Sequence, residues 1–250
     1  MVQMAVSPLP QWFEGSEYTH KVAVCVMKYG PISRITLAQI LGLSQGAVSR
    51  ITSDLIYAGV IEETPMPSGK AGKLPKGFVQ KENTERRGRP QMGLRIIKNA
   101  RSFVGMKINA THISAVAVNA IGQIITGCHD LEIEDTSPQT VVTLIKQLTI
   151  DCSDEAEMAG WPKPCAVGIS LGGYVVDNAV VTFAPFMHWS QPVELSAMVR
   201  EATGLPTGIY NDIDSLVVDA CLFGSGVGLD SFAVLTFGAG VGYSLTVNGE

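Results

Sequence analysis

An amino-terminal winged helix-turn-helix followed by an α/β domain with a mixed sheet is the fold that this 250-residue sequence predicts. Residues 33–59 have the pattern of two short helices joined by a tight turn. From Arg101 onward the apolar residues change from helical spacing to strand-like alternation. We therefore assign residues 15–64 to the winged helix-turn-helix, 65–100 to the wing and a linker, and 101–250 to the α/β domain.

The helix-turn-helix carries clear start and stop signals. Ser33 can cap its first helix, which Gly42 ends, and Ser44 can cap the second. The inward face of the second helix is predicted to comprise Ala47, Val48, Ile51, Leu55 and Ile56. The residues predicted to meet DNA in a major groove are Ser44, Gln45, Gly46, Ser49 and Arg50. The alternative is an ordinary helical hairpin with a solvated polar face.

The charge distribution favours DNA binding by the first part of the chain. Residues 1–100 contain 13 Lys and Arg against 7 Asp and Glu, a net of +6, whereas residues 101–250 contain 5 against 16, a net of −11. A basic segment joined to an acidic body is typical of a phosphate-binding module attached to a domain that does not bind DNA. The overall net charge of −5 hides this division.

The predicted wing follows a strand at Val60–Thr64. Its polar stretch Pro65–Asn83 is rich in Pro, Gly and Lys and cannot bury a core. It ends in the sequence RRGRPQ, in which Arg86, Arg87 and Arg89 form an extended basic finger. Such a finger fits the narrow minor groove of A·T-rich DNA, although similar residues also occur in ordinary basic loops.

Three consecutive strands begin the α/β domain, at Ser102–Ile108, His112–Asn119 and Gln123–Asp130. A helix capped by Thr136 or Ser137 follows. The later elements are a strand at Cys165–Ser170, further strand structure to Thr182, a helix near Val193–Thr203, a strand at Thr207–Tyr210, a helix at Ile213–Phe223, and strands at Phe232–Phe237 and Tyr243–Val247. This order indicates a mixed sheet.

Four segments carry a resemblance to a known family: RRGRPQMGLRI at 86–96, GISLGGYVVDNAVVTFAPFMHW at 168–189, ND at 211–212 and GAGVG at 238–242. Together they resemble the ROK family, which joins sugar-responsive bacterial repressors with sugar kinases on an actin-like, ribonuclease-H-like fold. The resemblance covers nearly the whole chain. Because Asn248-Gly249 signals a hairpin with no returning strand, we expect a fragment or a carboxy-terminally truncated gene product with an incomplete actin-like domain and poor stability.

The resemblance also implies roles for individual residues. It implies that Asp212 is the vestigial catalytic base and that Gly172, Asn211 and Asp212 contact a sugar. The vestigial nucleotide loop is Gly238, Ala239, Gly240 and Gly242. Where the kinases carry an Asp, a Gly pair and a Thr, this chain reads Lys-Ile-Asn-Ala-Thr at 107–111, so we expect little or no ATP turnover and no enzyme activity.

Effector recognition departs from the family pattern at Phe186, which stands where an Asn usually follows Ala-Pro. An aromatic ring cannot replace an amide as a hydroxyl partner. Three explanations stay open: the effector is not a plain hexose, Phe186 stacks on a sugar face, or sensing has been lost.

We therefore predict a cytoplasmic repressor of carbohydrate-metabolism genes that binds double-stranded operator DNA and a sugar or sugar phosphate, as a homodimer or higher homo-oligomer. The rival is a sugar kinase with an amino-terminal extension, and a blander alternative is a non-functional remnant. The scattered cysteines and histidines predict no metal site, and we expect no cofactor. The cysteines are predicted to be reduced and mostly buried, and no apolar run is long enough for a membrane span.

Overall fold

The computed structural model describes residues 15–66, 73–78, 92–238 and 240–247, which form two compact units. In described residues, the amino-terminal unit comprises 15–100, 217–233 and 245–247, and the second unit comprises 101–216 and 234–244. Arg86, Arg87, Arg89 and Ala239 lie outside the described residues. The predictions made for those four residues therefore stay predictions.

Three helices and a two-stranded antiparallel sheet make up residues 15–100 as far as they are described. The elements are α1 (Glu17–Tyr29), α2 (Arg34–Leu41), α3 (Gln45–Tyr57), β1 (Ile61–Pro65) and β2 (Met92–Ile96). Ser33 and Ser44 are the caps of α2 and α3, as predicted, and Gly42 ends α2 with a φ of 63°. A non-glycine residue would be strained there, because only glycine enters the left-handed region without cost.

Arg34 joins three elements of this unit. Its Nε donates to Thr52 Oγ1 on α3 at 2.9 Å, and its Nη1 lies 2.7 Å from Glu63 Oε1 on β1. The predicted inner face of α3 needs correction here: Val48 and Leu55 are buried, but Thr52 is buried as well. Apolar spacing cannot identify Thr52, because its burial depends on the Arg34 partner supplied by another helix.

A five-stranded mixed sheet forms the centre of the second unit, in the order β5-β4-β3-β6-β9. Its strands are β3 (Ser102–Ile108), β4 (His112–Asn119), β5 (His129–Glu132), β6 (Pro164–Leu171) and β9 (Thr207–Asn211). The pairs β3–β4 and β4–β5 are antiparallel, whereas β3–β6 and β6–β9 are parallel. The predicted mixed sheet is confirmed.

The predicted strand Gln123–Asp130 is wrong in its first six residues. The segment pairs with β4 there through an isolated bridge between Val118 and Ile124. Side chains bind neighbouring backbone groups: Asn119 Oδ1 accepts the N–H groups of Ile121 and Gln123, and Thr126 Oγ1 accepts the N–H of Ala117 at 2.9 Å. Regular pairing with β4 starts only at His129. Local side-chain acceptors compete with strand pairing in a way that alternation of apolar residues does not register.

Two helices, α4 (Pro138–Met158) and α5 (Leu195–Thr203), pack with the sheet around one apolar core. Of the two predicted candidates Thr136 and Ser137, Ser137 caps α4, and Pro138 occupies its first turn. Along β3 the buried residues are Ser102, Val104, Met106 and Ile108, so the intervening residues belong to the other face of the sheet.

The remaining described elements lie between β6 and α5 or after β9 in the sequence. They are β7 (Tyr174–Val176), β8 (Val180–Phe183), a 3-10 turn (Pro185–Met187), α6 (Asp212–Leu222), β10 (Phe232–Phe237) and β11 (Val241–Thr246). The five cysteines are free thiols, but only Cys25 and Cys152 are buried, so the expectation of mostly buried cysteines is wrong. Among the described residues, every helix is too short or too polar to traverse a lipid bilayer.

Candidate effector site and nucleic-acid interface

The carboxyl ends of β3, β6 and β9 meet at one edge of the sheet. Lys107 pairs in register with Ser170, and Leu171 pairs with Asn211, directly before Asp212 at the start of α6. Open parallel sheets bind ligands at this edge because the loops that leave the strands surround a crevice there. The edge is therefore the candidate effector site of the second unit.

A cavity of about 610 Å³ lies at this edge. Its lining comprises Lys107, Ser170, Asp212, Ile213, Ser215, Leu216, Thr236, Phe237, Gly238, Gly240, Val241 and Gly242. The volume is in the range of small-molecule sites. The structure thus brings Asp212 together with three glycines of the predicted nucleotide loop.

Gly172 and Phe186 lie beside Asp212. A methyl group added at Gly172 would lie 3.7 Å from Asp212 Oδ2 and 3.7 Å from Phe186 Cε1. Phe186 is partly buried against the core of the sheet domain and belongs to the 3-10 turn Pro185–Met187. The missing side chain at Gly172 therefore leaves space between a carboxylate and an aromatic ring, which are typical partners for the hydroxyl groups and the C–H face of a sugar.

Asn211 has a structural task that the sequence does not reveal. Its Nδ2 donates to the carbonyl of Gly173 at 2.8 Å, and its Oδ1 accepts the N–H of Ile213 at 2.8 Å. These two bonds tie the end of β9 to the loop after β6 and to the first turn of α6. The second hydrogen of the Asn211 amide is not used by these two bonds. The effector contact predicted for Asn211 stays a prediction.

The loop between β3 and β4 is closed by its own side chain. Asn109 Oδ1 accepts the backbone N–H groups of Thr111 at 2.9 Å and of His112 at 2.8 Å. A phosphate-binding loop must present such N–H groups to the ligand. Here both donors are already engaged within the loop.

Asp214, in the first turn of α6, is a residue that the sequence pattern did not single out. Burial raises its pKa, a hydrogen bond with Ser244 opposes the rise, and the nearby Asp212 charge adds to it. No motif marks this residue, because its environment depends on β11, which is distant in the sequence. In the described part of the chain, no group of three or more His, Cys, Asp or Glu could hold a metal ion.

The polar face of α3 is the candidate nucleic-acid interface of the amino-terminal unit. Gln45, Gly46, Ser49 and Arg50 are exposed, and a methyl group added at Gly46 would meet no atom within 4 Å. Ser44 is also exposed, and its Oγ accepts the N–H of Ala47 at 3.2 Å. The five predicted DNA-contacting residues of this helix therefore share one accessible end.

Arg50 differs from the other described arginines in α2, α3 and β2. Arg34 pairs with Glu63, and Arg95 Nε lies 2.7 Å from Glu62 Oε1. Among the residues that the structure describes, Arg50 has no such acidic partner. Its guanidinium is therefore available for a phosphate or a base edge.

Comparison with known proteins gives relatives of two kinds. The xylose repressor of Bacillus spizizenii is 22% identical over 226 residues, covering 89% of this chain and 53% of the repressor. A solved ROK family transcriptional regulator, a homologue of the Escherichia coli Mlc protein, superposes with a TM-score of 0.67 at 21% identity, covering 93% of this chain and 54% of that one. A ROK family glucokinase from Streptomyces griseus, solved with glucose and AMPPNP, gives a TM-score of 0.51 at 29% identity, covering 60% and 45%.

These matches establish the family and the fold of the sheet domain. The chain spans about half the length of the curated relatives it matches. The ROK family model matches residues 103–250, which is more than half of the chain. The mixed sheet, the cavity at its carboxyl edge and this match agree, and the chain belongs to the ROK family.

Proposed function

We propose that this protein is a DNA-binding transcriptional regulator that represses carbohydrate-metabolism genes and responds to a sugar or sugar-phosphate effector. The observation that carries this proposal is the extent of the similarity. The alignment with the xylose repressor covers 226 residues, more than the family domain at 103–250 can supply, so it includes part of the amino-terminal unit. The glucokinase match covers only 60% of the chain.

In this proposal, residues 15–64 form a winged helix-turn-helix. The α3 helix enters the major groove with Gln45, Ser49 and Arg50 near base edges. Its exposed polar end and the short turn from α2 support this role. The β1–β2 pair is the base of the wing, and residues 65–100 comprise the wing and linker.

The arginines at 86, 87 and 89 are proposed to enter the minor groove. Their place between β1 and β2 in the sequence supports this assignment, since a wing joins two such strands. We further propose a homodimer that acts in the cytoplasm on a palindromic operator, because two-fold symmetric proteins bind two half-sites.

The test is binding of the whole chain to duplexes enriched from a random-sequence pool, measured by fluorescence anisotropy. Arg50→Ala is expected to weaken binding about 5- to 100-fold, as loss of a specific base contact does. Arg95→Ala is the matched control, because Arg95 pairs with Glu62 within the same unit. Failure to enrich any duplex at low ionic strength would exclude the proposal.

A sugar kinase is the second candidate, supported by the 29% identity with the glucokinase and by the presence of Asp212 in the cavity. The Asn109 bonds within the β3–β4 loop argue against it, because that loop would have to hold nucleotide phosphates. An assay of ATP consumption with hexoses distinguishes the two candidates.

A further inference from the structure

Lys107 introduces a positive charge into the cavity at the carboxyl edge of the sheet. Its side chain is exposed, and it has no ion pair or side-chain hydrogen bond with any residue that the structure describes. Asp212 lines the same cavity, yet the two charged groups lie more than the 4.0 Å of an ion pair apart. A cation and an anion thus line the same cavity without forming a direct ion pair.

Two hydroxyl groups that line the cavity, those of Ser170 and Thr236, have spare hydrogen-bonding capacity. Ser170, the register neighbour of Lys107, donates to the carbonyl of Met106 only at 3.4 Å, and Thr236 donates to the carbonyl of Gly242 at 3.4 Å. Both distances exceed the usual range for hydroxyl donors. These hydroxyls can therefore turn toward a bound acceptor at little cost.

Two glycines of the β10–β11 connection, Gly238 and Gly240, also line the cavity. A methyl group added at either would meet no atom within 4 Å, so there is open space beside both. A cation, two weakly engaged hydroxyls and this open space are together a suitable environment for a phosphate ester.

We propose that the cavity binds a phosphorylated sugar, with the phosphate at Lys107, Ser170 and Thr236 and the sugar hydroxyls at Asp212. This inference rests on the proposed function and narrows its effector class. A neutral sugar offers Lys107 no anion in place of water, whereas a phosphate alone offers Asp212 no sugar hydroxyl. A ligand with both groups would engage both charged residues of the cavity.

The test is isothermal titration calorimetry on the whole chain with glucose 6-phosphate, mannose 6-phosphate and fructose 6-phosphate. Glucose, inorganic phosphate and ADP are the comparison ligands. At least one sugar phosphate is expected to bind about 10-fold or more tightly than each comparison ligand. Lys107→Gln is expected to weaken binding of that sugar phosphate about 10-fold, because a charge-assisted contact is lost. Lys107→Arg should retain the wild-type affinity.

Lys146→Gln is the matched control, since Lys146 is an exposed lysine of α4 that does not line the cavity. Unchanged binding by Lys107→Gln, stronger binding of glucose or ADP than of every sugar phosphate, or no binding of any sugar phosphate would overturn the inference. None of these results would affect DNA binding by the same protein samples. A failure of the sugar-phosphate proposal can therefore be distinguished from a failure of the proposed DNA-binding function.

Discussion

The side-chain oxygen of Asn109 accepts the backbone N–H of Thr111 at 2.9 Å, across the turn that joins β3 to β4. The same oxygen accepts the N–H of His112 at 2.8 Å. A ligand phosphate would have to displace the Asn109 side chain to reach these donors. Both N–H groups are thus hydrogen-bonded within the loop, in contrast to phosphate-binding loops, whose N–H groups point to the nucleotide.

This contact predicts that the protein does not use ATP to phosphorylate hexoses. A coupled spectrophotometric assay of ADP release should give only background rates with glucose, mannose or xylose. Asp212→Asn is the control, and it should leave that background unchanged. Hexose-dependent turnover that disappears in Asp212→Asn would contradict the prediction and favour the kinase.

Gly46→Glu is expected to abolish DNA binding without unfolding the protein. A side chain at this position meets no other atom within 4 Å, and a carboxylate near a helix start is favourable for the helix. The new charge would repel DNA phosphates in the proposed complex. Gly46→Ala is the matched control and should bind within a few-fold of wild type in an anisotropy titration. Equal affinity of Gly46→Glu and Gly46→Ala would remove α3 from the interface.

Gly172→Ala is expected to weaken effector binding about 10-fold or more while preserving stability. The added methyl group would meet Asp212 and Phe186 at 3.7 Å, an ordinary contact distance, so it fills the space without strain. Gly168→Ala, within β6 just before Gly172, is the control, because its methyl group would meet no atom within 4 Å. Thermal-shift titrations with hexoses and their 6-phosphates provide the measurement. Full ligand affinity in Gly172→Ala would place the effector elsewhere.

Thr52→Val should lower the free energy of unfolding by about 1–2 kcal/mol, because it removes the buried acceptor of Arg34 at a nearly unchanged volume. Urea denaturation monitored by circular dichroism provides the measurement. Ser53→Ala is the control: Ser53 is exposed, and its hydroxyl donates to the carbonyl of Ser49 within α3. Its expected effect is within about 0.5 kcal/mol. Equal stability of the two variants would show that the Arg34 contact adds nothing.

Glu155→Gln should destabilise the protein at neutral pH and have little effect in acid. The Gly127 N–H and then the His129 ring hold the pKa of Glu155 below its ordinary value of 4.5. A lowered pKa in the folded state means that the charged form contributes stability above pH 4.5. That contribution is lost as the pH falls through the folded-state pKa.

The measurement for Glu155→Gln is the difference in Tm from wild type at pH 7 and near pH 3. Glu157→Gln serves as the control, since the Glu157 carboxylate pairs with no described residue other than the exposed Lys163. A Tm difference for Glu155→Gln that stays constant over this range would assign its effect to something other than the carboxylate charge.

Features of short range could be predicted from the sequence. Ser33 and Ser44 are confirmed as helix caps, and Ser137 is the one of the two candidates Thr136 and Ser137 that caps α4, because a cap bond spans only three residues. The alternating pattern located β3 and β4 at their observed bounds. The Gln123–Asp130 error arose because Asn119 and Thr126 bind backbone groups through their side chains, which apolar alternation does not report.

The sequence by itself determined the order of elements, the mixed sheet and the loss of the acidic residue and glycine pair in the β3–β4 loop, since these depend on local pattern and residue identity. Tertiary structure alone decided that Thr52 is buried, that Asp214 has a raised pKa, and that Lys107 and Asp212 share a cavity. Each of these facts depends on groups far apart in the chain, whose approach follows from the packing of whole strands and helices.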